Sequence, residues 1–182
     1  MIPDILENIK TELVKGTTVK GHPFRLCVMA TVGINNSARI RTVVLRDVDE
    51  HFNLTFYTDK RTKKVTHIRE NRNVSLLFYH PDLKTQVRIE GFAKVEEKEK
   101  AIRGLWDKLH DDAKKDYTSA EAPGTKIGHP DFITHLKDEH YFTVIRVLSQ
   151  KIDYFELKPH KHVRAAFSLE DNNKWNGTYL VP

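Results

Sequence analysis

The sequence predicts a mainly β protein of the α+β class, a β-barrel with short flanking helices. Nine short segments are rich in Val, Ile, Phe, Tyr and Thr, the residue types that strands favour, and turn-like pieces such as NNS and HPD separate them. Three other segments have helical spacing of apolar residues. Because the chain has 182 residues, 39% of them hydrophobic, we expect one core and a single domain over residues 1–182.

The nine strand segments run from residue 24 almost to the C-terminus. They are FRLCVMATVG, ARIRTVVLRDV, NLTFYT, NVSLLFYH, TQVRIEGFAKVEE, YFTVIRVLS, KIDYFEL, VRAAFSL and KWNGTYLV, and their number fits a barrel. In the fifth segment, alternation places Val87, Ile89, Ala93 and Val95 on the core face and Gln86 on the other face. Gln86 is then either a solvated surface residue or a contact for a ligand lying across the barrel wall.

Three helices are expected around the barrel. The first covers the N-terminal segment, with Pro3 in its first turn and Gly16 at its end. The second is TKKVTHIREN, beginning near Thr62 with Val65 and Ile68 turned inward, and the third is EKEKAIRGLWDKLHDDAKKDY. The segment TSAEAPGTKIGHPD, with two prolines and two glycines, is expected to be a loop.

Composition limits the class of protein. No run approaches the roughly 18 apolar residues of a membrane span, and acids interrupt the N-terminal apolar pattern, unlike in a signal peptide. We therefore expect a cytoplasmic protein with no membrane partner. Cys27 is the one cysteine and lies in an apolar run, which predicts a buried thiol. A net charge of +5 leaves both phosphate-bearing ligands and nucleic acids open.

A basic cluster follows the third strand, with four cations at residues 60–64. Lys63 and Lys64 fall in the first turn of the second helix, where the helix dipole favours acids. A phosphate there would receive backbone N–H groups, the Thr62 hydroxyl and two ammonium groups. The cluster is therefore either an ordinary solvated turn or a phosphate site, which Arg41 from the preceding hairpin could complete.

Taken in order, these segments resemble the pyridoxamine 5'-phosphate oxidase family of FMN-binding split barrels. RTVVLR, FYT, TKK and LLFYHPDLKTQVRIEG stand where that family has an arginine-led strand, a Tyr-Thr strand end, a Ser-Arg-Lys helix start and a Gln-Val strand. The resemblance covers roughly residues 25 to 95. It implies a split β-barrel of the FMN-binding type, FMN as cofactor, and a homodimer with the flavin site at the subunit interface.

The resemblance also implies which residues hold the cofactor. Arg41, Thr62, Lys63 and Lys64 would hold the FMN phosphate, and Gln86 would contact the isoalloxazine ring. The full implied cofactor set is Arg41, Thr42, Val43, Val44, Tyr57, Thr58, Thr62, Lys63, Lys64, Gln86 and Arg164. The implied substrate contacts are Arg46, Lys161 and His162. No catalytic residue and no metal ligand is assigned.

Several substrate positions depart from the oxidase pattern. Arg46 replaces a lysine, Lys161 replaces the first arginine of an Arg-x-His-x-Arg pattern, Phe155 replaces a tryptophan, and Trp106 falls near an expected tyrosine. The expected function is therefore an FMN-dependent oxidoreductase that transfers a hydride between FMN and a small molecule other than pyridoxine phosphate. The alternative is a non-catalytic split barrel that holds a flavin or a haem for storage or sensing.

Other kinds of site fit the sequence less well. No HExxH pair and no P-loop or dinucleotide glycine motif occurs, and His160 and His162 are more typical of a polar loop than of a metal site. The alternating acids and lysines of the third helix indicate a solvated, salt-bridged face. Phe56, Tyr57 and Tyr79 could stack on bases, but core packing explains them more simply, so no nucleic-acid partner is expected.

Overall fold

The computed structural model describes residues 1–182, and its strands form the split β-barrel that the sequence predicts. The strands are β1 (Leu26–Val32), β2 (Ala38–Val48), β3 (Leu54–Asp59), β4 (Asn73–His80), β5 (Thr85–Val95), β6 (Phe142–Glu156), β7 (Val163–Leu169) and β8 (Trp175–Leu180). Six antiparallel strands close in the order β3-β2-β1-β4-β5-β6, because β6 pairs with both β5 and β3. β7 and β8 extend the sheet from the second half of β6.

Four helices lie outside the strands. They are α1 (Ile2–Thr18), α2 (Lys63–Glu70), α3 (Glu99–Trp106) and α4 (Asp111–Lys114), and short 3-10 turns cover Pro23–Arg25, Lys115–Tyr117 and Pro130–Phe132. The predicted end of α1 at Gly16 is wrong, since the helix continues for two residues. Gly16 is needed for a close approach instead, because a Cβ there would lie 2.6 Å from the carbonyl oxygen of Phe24. None of the helices combines the length and the apolar content that crossing a bilayer requires.

Two element predictions are corrected by packing. The predicted third helix is two helices, α3 and α4, because a turn after Trp106 lets Leu109 also pack against the buried Tyr117 and Phe142. The two predicted strands on either side of residue 150 are one strand, β6. Glu90 pairs with Lys151 and the next residue, Gly91, pairs with Ser149, so Gln150 is a bulge within the ladder.

The core fills the barrel and continues beneath α1. Val87, Ile89, Ala93 and Val95 are all buried, which confirms the predicted face of β5. Cys27 is buried as expected, and burial raises the pKa of its thiol. On α2, Val65 and Ile68 are buried, so this helix is held against the barrel at a defined rotation.

Candidate functional site

The candidate site lies at the end of the barrel that α2 covers. Arg41 of β2 pairs in register with the buried Met29 of β1, so its side chain points to the interior side of the wall. Its Nη1 donates to the Met29 carbonyl oxygen (3.1 Å) and to the Thr31 hydroxyl (2.8 Å), while Nε and Nη2 have no protein acceptor. Burial lowers the pKa of Arg41, but a guanidinium stays charged in proteins. Arg41 is thus a fixed, partly desolvated cation with free donors.

Lys64 lies beside Arg41. Its Nζ donates to the Thr58 hydroxyl at 2.8 Å, and that hydroxyl is 3.3 Å from the Thr62 hydroxyl, which in turn donates to the Asp59 carbonyl oxygen (2.9 Å). Burial lowers the pKa of Lys64, and the positive charge of Arg41 lowers it further, against a smaller opposing effect of Asp59. We call Arg41, Thr58, Thr62 and Lys64 the basic site.

The start of α2 leaves donors free at the basic site. The helix begins after Thr62, whose side chain makes no capping hydrogen bond, and its first turn contains no acidic residue. The first N–H groups of a helix have no partner within the helix. Two cations and the positive end of a helix dipole therefore meet at one place without a carboxylate in that turn.

The other cations of the cluster are used differently. Arg61 forms an ion pair with the buried carboxylate of Asp59 (2.7 Å), donates to the carbonyl oxygens of Ser119 and Ala120 (2.9 Å each), and lies 3.3 Å from the centre of the Tyr141 ring. The hydrogen bond with Asp59 raises the pKa of Arg61. This arginine anchors the segment that follows α4, so it is not available to a ligand at the basic site.

Among the remaining cations of this turn, Lys60 lies over the Tyr141 ring at 5.6 Å, away from the basic site. Lys63 is exposed at the start of α2. Of the four cations in the cluster, only Lys64 is both partly buried and hydrogen-bonded at the basic site.

Two residues that sequence reasoning missed lie directly behind the basic site. Thr31 and His67 are buried, and the Thr31 Oγ1 lies 3.1 Å from the His67 Nδ1. Burial lowers the pKa of His67, and the charges of Arg41, Arg39 and Lys63 lower it further. Lys64 and His67 are three residues apart in the sequence, and this spacing, which makes them neighbours on a helix, is a signal for the histidine.

The implied flavin contacts do not all meet in one chain. Thr42, Val44, Gln86 and Arg164 alternate with core residues and point to the outer face of the sheet; we call them the outer-face set. Gln86 pairs with Phe155, which pairs with Arg164, so these three side chains form one row. Val43 instead points inward and packs against the core. The outer-face set thus lies across the wall from the basic site.

Polar contacts hold part of the outer face in place. Arg164 donates to the Asp153 carboxylate at 3.0 Å, and the same carboxylate oxygen accepts from Arg88 at 3.4 Å. The Nε of Arg164 is buried without a partner. This face therefore has a cationic side chain, ion-paired with Asp153, next to Gln86 and Phe155.

Tyr57 and Thr58 are adjacent on β3 and point to opposite faces. Thr58 reaches the basic site, whereas Tyr57 packs edge-on against Phe142 at 5.0 Å between ring centres. Arg46 lies 5.3 Å from the Tyr57 ring, and its Nε is buried without a partner. Burial raises the pKa of Tyr57, and the charge of Arg46 works against that rise.

The implied substrate contacts are separated along β6. Arg46 lies beside Tyr57, which pairs with Val144 near the start of β6. His162 is exposed, and its ring lies 5.9 Å from that of Phe155, near the end of β6. Lys161 is exposed in the same loop. One chain therefore does not bring these three side chains into a common pocket.

A cluster of Glu12, His22 and His80 has the composition of a metal site. The Glu12 carboxylate lies 3.0 Å from the His22 Nε2 and 3.7 Å from the His80 Nε2. However, both Nδ1 atoms accept backbone N–H groups, from Phe24 (3.2 Å) and Leu83 (3.3 Å). A neutral imidazole that accepts at Nδ1 carries its proton at Nε2, so each ring directs an N–H toward the carboxylate rather than a lone pair toward a metal.

This carboxylate joins α1 to the start of β1 and the end of β4. Lys15 also donates to Glu12, at 2.7 Å. Burial pushes the pKa of Glu12 up, but the charge of Lys15 and the hydrogen bonds from Lys15 and His22 outweigh burial, so the pKa lies below its ordinary value. The cluster is therefore a set of structural hydrogen bonds that connects α1 with the start of β1 and the end of β4.

Comparison with known proteins identifies the family of the chain. The family model described as pyridoxamine 5'-phosphate oxidase, FMN-binding domain, matches residues 7–97. A pyridoxine/pyridoxamine 5'-phosphate oxidase of Gluconobacter oxydans is 28% identical over 172 residues, covering 85% of this chain and 82% of that protein. The enzyme of the same name from Cupriavidus necator is 25% identical over an alignment of 204 residues, covering 99% and 90%.

Solved structures share the fold. A pyridoxamine 5'-phosphate oxidase-related, FMN-binding protein of Nostoc punctiforme superposes with a TM-score of 0.79 at 22% identity, covering 97% of this chain and 96% of that one. A Burkholderia lata protein in complex with tetrahydrophenazine-1-carboxylic acid superposes with a TM-score of 0.77 at 16% identity, covering 98% and 92%. With half of its length matched by the family model, the chain belongs to the pyridoxamine 5'-phosphate oxidase FMN-binding family.

Proposed function

We propose that the chain is an FMN-binding oxidoreductase that transfers a hydride between a small-molecule substrate and FMN. The observation that carries this proposal is the convergence of Arg41 and Lys64 at the start of α2, in a first turn without acids. A phosphate monoester carries nearly two negative charges at neutral pH and three acceptor oxygens. The family supports FMN as the phosphate-bearing ligand.

The residues of the basic site fit a phosphate group. Arg41 has Nε and Nη2 without a protein acceptor, and the Lys64 ammonium can exchange its bond to Thr58 for a charge-assisted bond to a phosphate oxygen. The first N–H groups of α2 add neutral donors. The flavin ring supplies the hydride chemistry, and the protein supplies position and electrostatics. In this proposal the basic site binds and orients one end of the cofactor.

The proposal includes a homodimer, because in one chain the outer-face set and the basic site lie on opposite sides of the barrel wall. A flavin held at the basic site therefore does not reach the outer-face set of the same chain. A second copy could place its Gln86 and Arg164 over a flavin held by the first. Exposed apolar side chains on this face support an interface, since Ile40 is 72%, Tyr79 50% and Leu77 37% exposed. Tyr79→Glu should shift the protein toward monomer and weaken flavin binding, as light scattering and flavin fluorescence would show. A wild-type protein that is monomeric at micromolar concentration would count against this part.

A non-catalytic flavin-binding module is the second candidate, and one observation favours it. Arg46 lies over the Tyr57 ring near one end of β6, whereas Lys161 and His162 are exposed at the other end. Within one chain no pocket gathers the side chains expected to hold a substrate. A second copy could restore the pocket, so the oligomeric state and the activity must be tested together.

The test begins with the absorption spectrum of the purified protein and release of any chromophore for identification by mass. We expect FMN at about one copy per chain, or uptake of added FMN by a colourless preparation. Anaerobic mixing with candidate donors then separates the two functions. Reduction of the bound flavin supports the oxidoreductase, and bound flavin that no donor reduces supports the module. A protein that neither carries nor takes up FMN would remove both.

A further inference from the structure

Thr31 and His67 connect the basic site to the interior of the barrel. Thr31 of β1 is 3% exposed and His67 of α2 is 7% exposed. The Thr31 hydroxyl receives the Arg41 Nη1 at 2.8 Å and lies 3.1 Å from the His67 Nδ1. A hydroxyl has one hydrogen and two lone pairs. The partners of this one hydroxyl therefore decide how the Arg41 guanidinium is held.

With a neutral His67, the hydrogen bonds have a complete arrangement. Thr31 accepts from Arg41 and donates its own hydrogen to the His67 Nδ1, which places the ring proton at Nε2. The Met29 carbonyl oxygen is the second acceptor of the same Arg41 Nη1. Two fixed acceptors then orient the guanidinium plane, which leaves Nε and Nη2 for a ligand.

With a protonated His67, the same side-chain positions still serve. The ring would donate from Nδ1, and Thr31 would accept from both His67 and Arg41. The Thr31 hydrogen can turn to the carbonyl oxygen of Arg39, which lies 3.5 Å away. Because both protonation states satisfy the hydroxyl without moving Arg41, a proton can be gained or lost here without dismantling the basic site.

The charges that shift the pKa of His67 are positive. Arg39 and Arg41 act on it from β2 and Lys63 from α2, and together with the larger effect of burial they lower the pKa of His67. The ring is therefore neutral at neutral pH when no anion is present. A phosphate bound among Arg41 and Lys64 would offset those cations and raise the pKa of His67.

We propose that Thr31 and His67 position Arg41, and that His67 takes up a proton when a phosphate-bearing ligand binds at the basic site. This rests on the proposed function and adds a proton-linked residue to it. Linkage gives the sign: affinity for the ligand rises as pH falls through the pKa of the bound state, and stops rising below the lower pKa of the free state. Between the two values, the dissociation constant changes by up to about tenfold per pH unit.

The direct test follows the ring resonances of isotope-labelled histidine in the full chain by NMR over about pH 5 to 8, without and with saturating FMN. His67→Gln identifies the His67 signals. We expect the midpoint of His67 to move upward when FMN is bound, while the exposed His51 does not respond. A His67 midpoint that is the same with and without FMN would overturn the inference.

Two variants separate proton uptake by His67 from the positioning of Arg41. In His67→Gln the side-chain oxygen can still accept from Thr31, so we expect FMN affinity to persist with a pH dependence reduced to that of the phosphate itself. In Thr31→Val the bridge is lost, and affinity should fall about tenfold at every pH, as expected for one net hydrogen bond. His51→Gln is the matched control and should behave as wild type.

The outcomes distinguish failure of the proposed function from failure of the proton-linked role of His67. If wild-type protein binds no FMN at any pH, the proposed function fails and this inference fails with it. If FMN binds but His67→Gln keeps the full pH dependence of the wild type, only the inference fails. Circular dichroism and thermal unfolding of each variant show whether the fold is retained, and the NMR comparison on wild-type protein does not depend on any variant.

Discussion

Replacing Lys64 with methionine tests the basic site most sharply, because the change should weaken FMN binding without lowering the stability of the flavin-free protein. Methionine keeps an unbranched apolar stem of similar length and removes the ammonium that lies 2.8 Å from Thr58. A hydrogen bond to a charged group contributes about 1.5–3 kcal/mol. At 1.36 kcal/mol per tenfold, Lys64→Met should weaken FMN binding by about 10- to 150-fold.

The thermal stability of the flavin-free protein should not fall in Lys64→Met. Burial lowers the pKa of Lys64, and the charge of Arg41 adds to this, which means that the folded, ligand-free chain disfavours the charged ammonium relative to the unfolded chain. A lysine whose pKa is lowered by folding opposes folding wherever the unfolded chain carries its charge, which includes neutral pH. Lys64→Met should leave the melting temperature of the flavin-free protein unchanged or raise it, while losing most of the stabilisation that FMN confers.

The assay is quenching of FMN fluorescence at fixed low salt, combined with thermal unfolding with and without FMN. Lys60→Ala is the matched control, because Lys60 belongs to the same basic cluster but lies over Tyr141. We expect the control to bind FMN within a factor of about two of wild type. Wild-type affinity in Lys64→Met would refute the assignment, and equal losses in both variants would mean that only the general positive charge of the cluster matters.

Three further predictions concern the frame around the site. Arg61→Ala leaves the Asp59 carboxylate buried without its partner and should cost about 3 kcal/mol of unfolding free energy, with faster proteolysis within residues 118–141. Gly91→Ala places a Cβ 2.2 Å from the Leu148 carbonyl oxygen and should cost about 1–3 kcal/mol, measured by urea unfolding. The pKa of Glu12 is lowered in the folded chain, so its contribution to stability is present above the unfolded-state pKa and is lost as pH falls through the lower folded-state pKa. Glu12→Gln should therefore be less stable at neutral pH and lose less stability on acidification.

Each of these changes has a counterpart at a site without the contact. Lys60→Ala again serves for Arg61, and it should not expose residues 118–141 to protease. Gly104→Ala serves for Gly91, because a Cβ at this position of α3 meets nothing within 4 Å and a helical alanine is favoured over glycine. Glu7→Gln, at an exposed position on α1, should keep the wild-type pH dependence. Equal effects in a variant and its counterpart would show that the contact is not the cause.

Local patterns in the chain were sufficient for most of the fold. Alternation and turn residues predicted β2, β4 and β7 at their observed bounds, and the motif order from RTVVLR to TQVRIEG identified the family. They were insufficient where packing between distant elements decides the outcome. In the sequence, Gln150 separates two predicted strands. In the structure the ladder with β5 continues past Gln150, which forms a bulge, because Gly91 allows the backbone of Leu148 to approach.

The candidate site, like the fold, was predictable from local sequence only in part. The sequence alone determined that cations, threonines and the start of a helix follow one another after β3, since these are facts of spacing. Only the tertiary structure decided that Arg61 turns to Asp59, that Lys64 turns to Thr58, and that His67 lies behind Arg41 through a hydroxyl from β1. The physical reason is that spacing sets which face a side chain occupies, whereas closure of the barrel and the rotation of α2 set which side chains meet there.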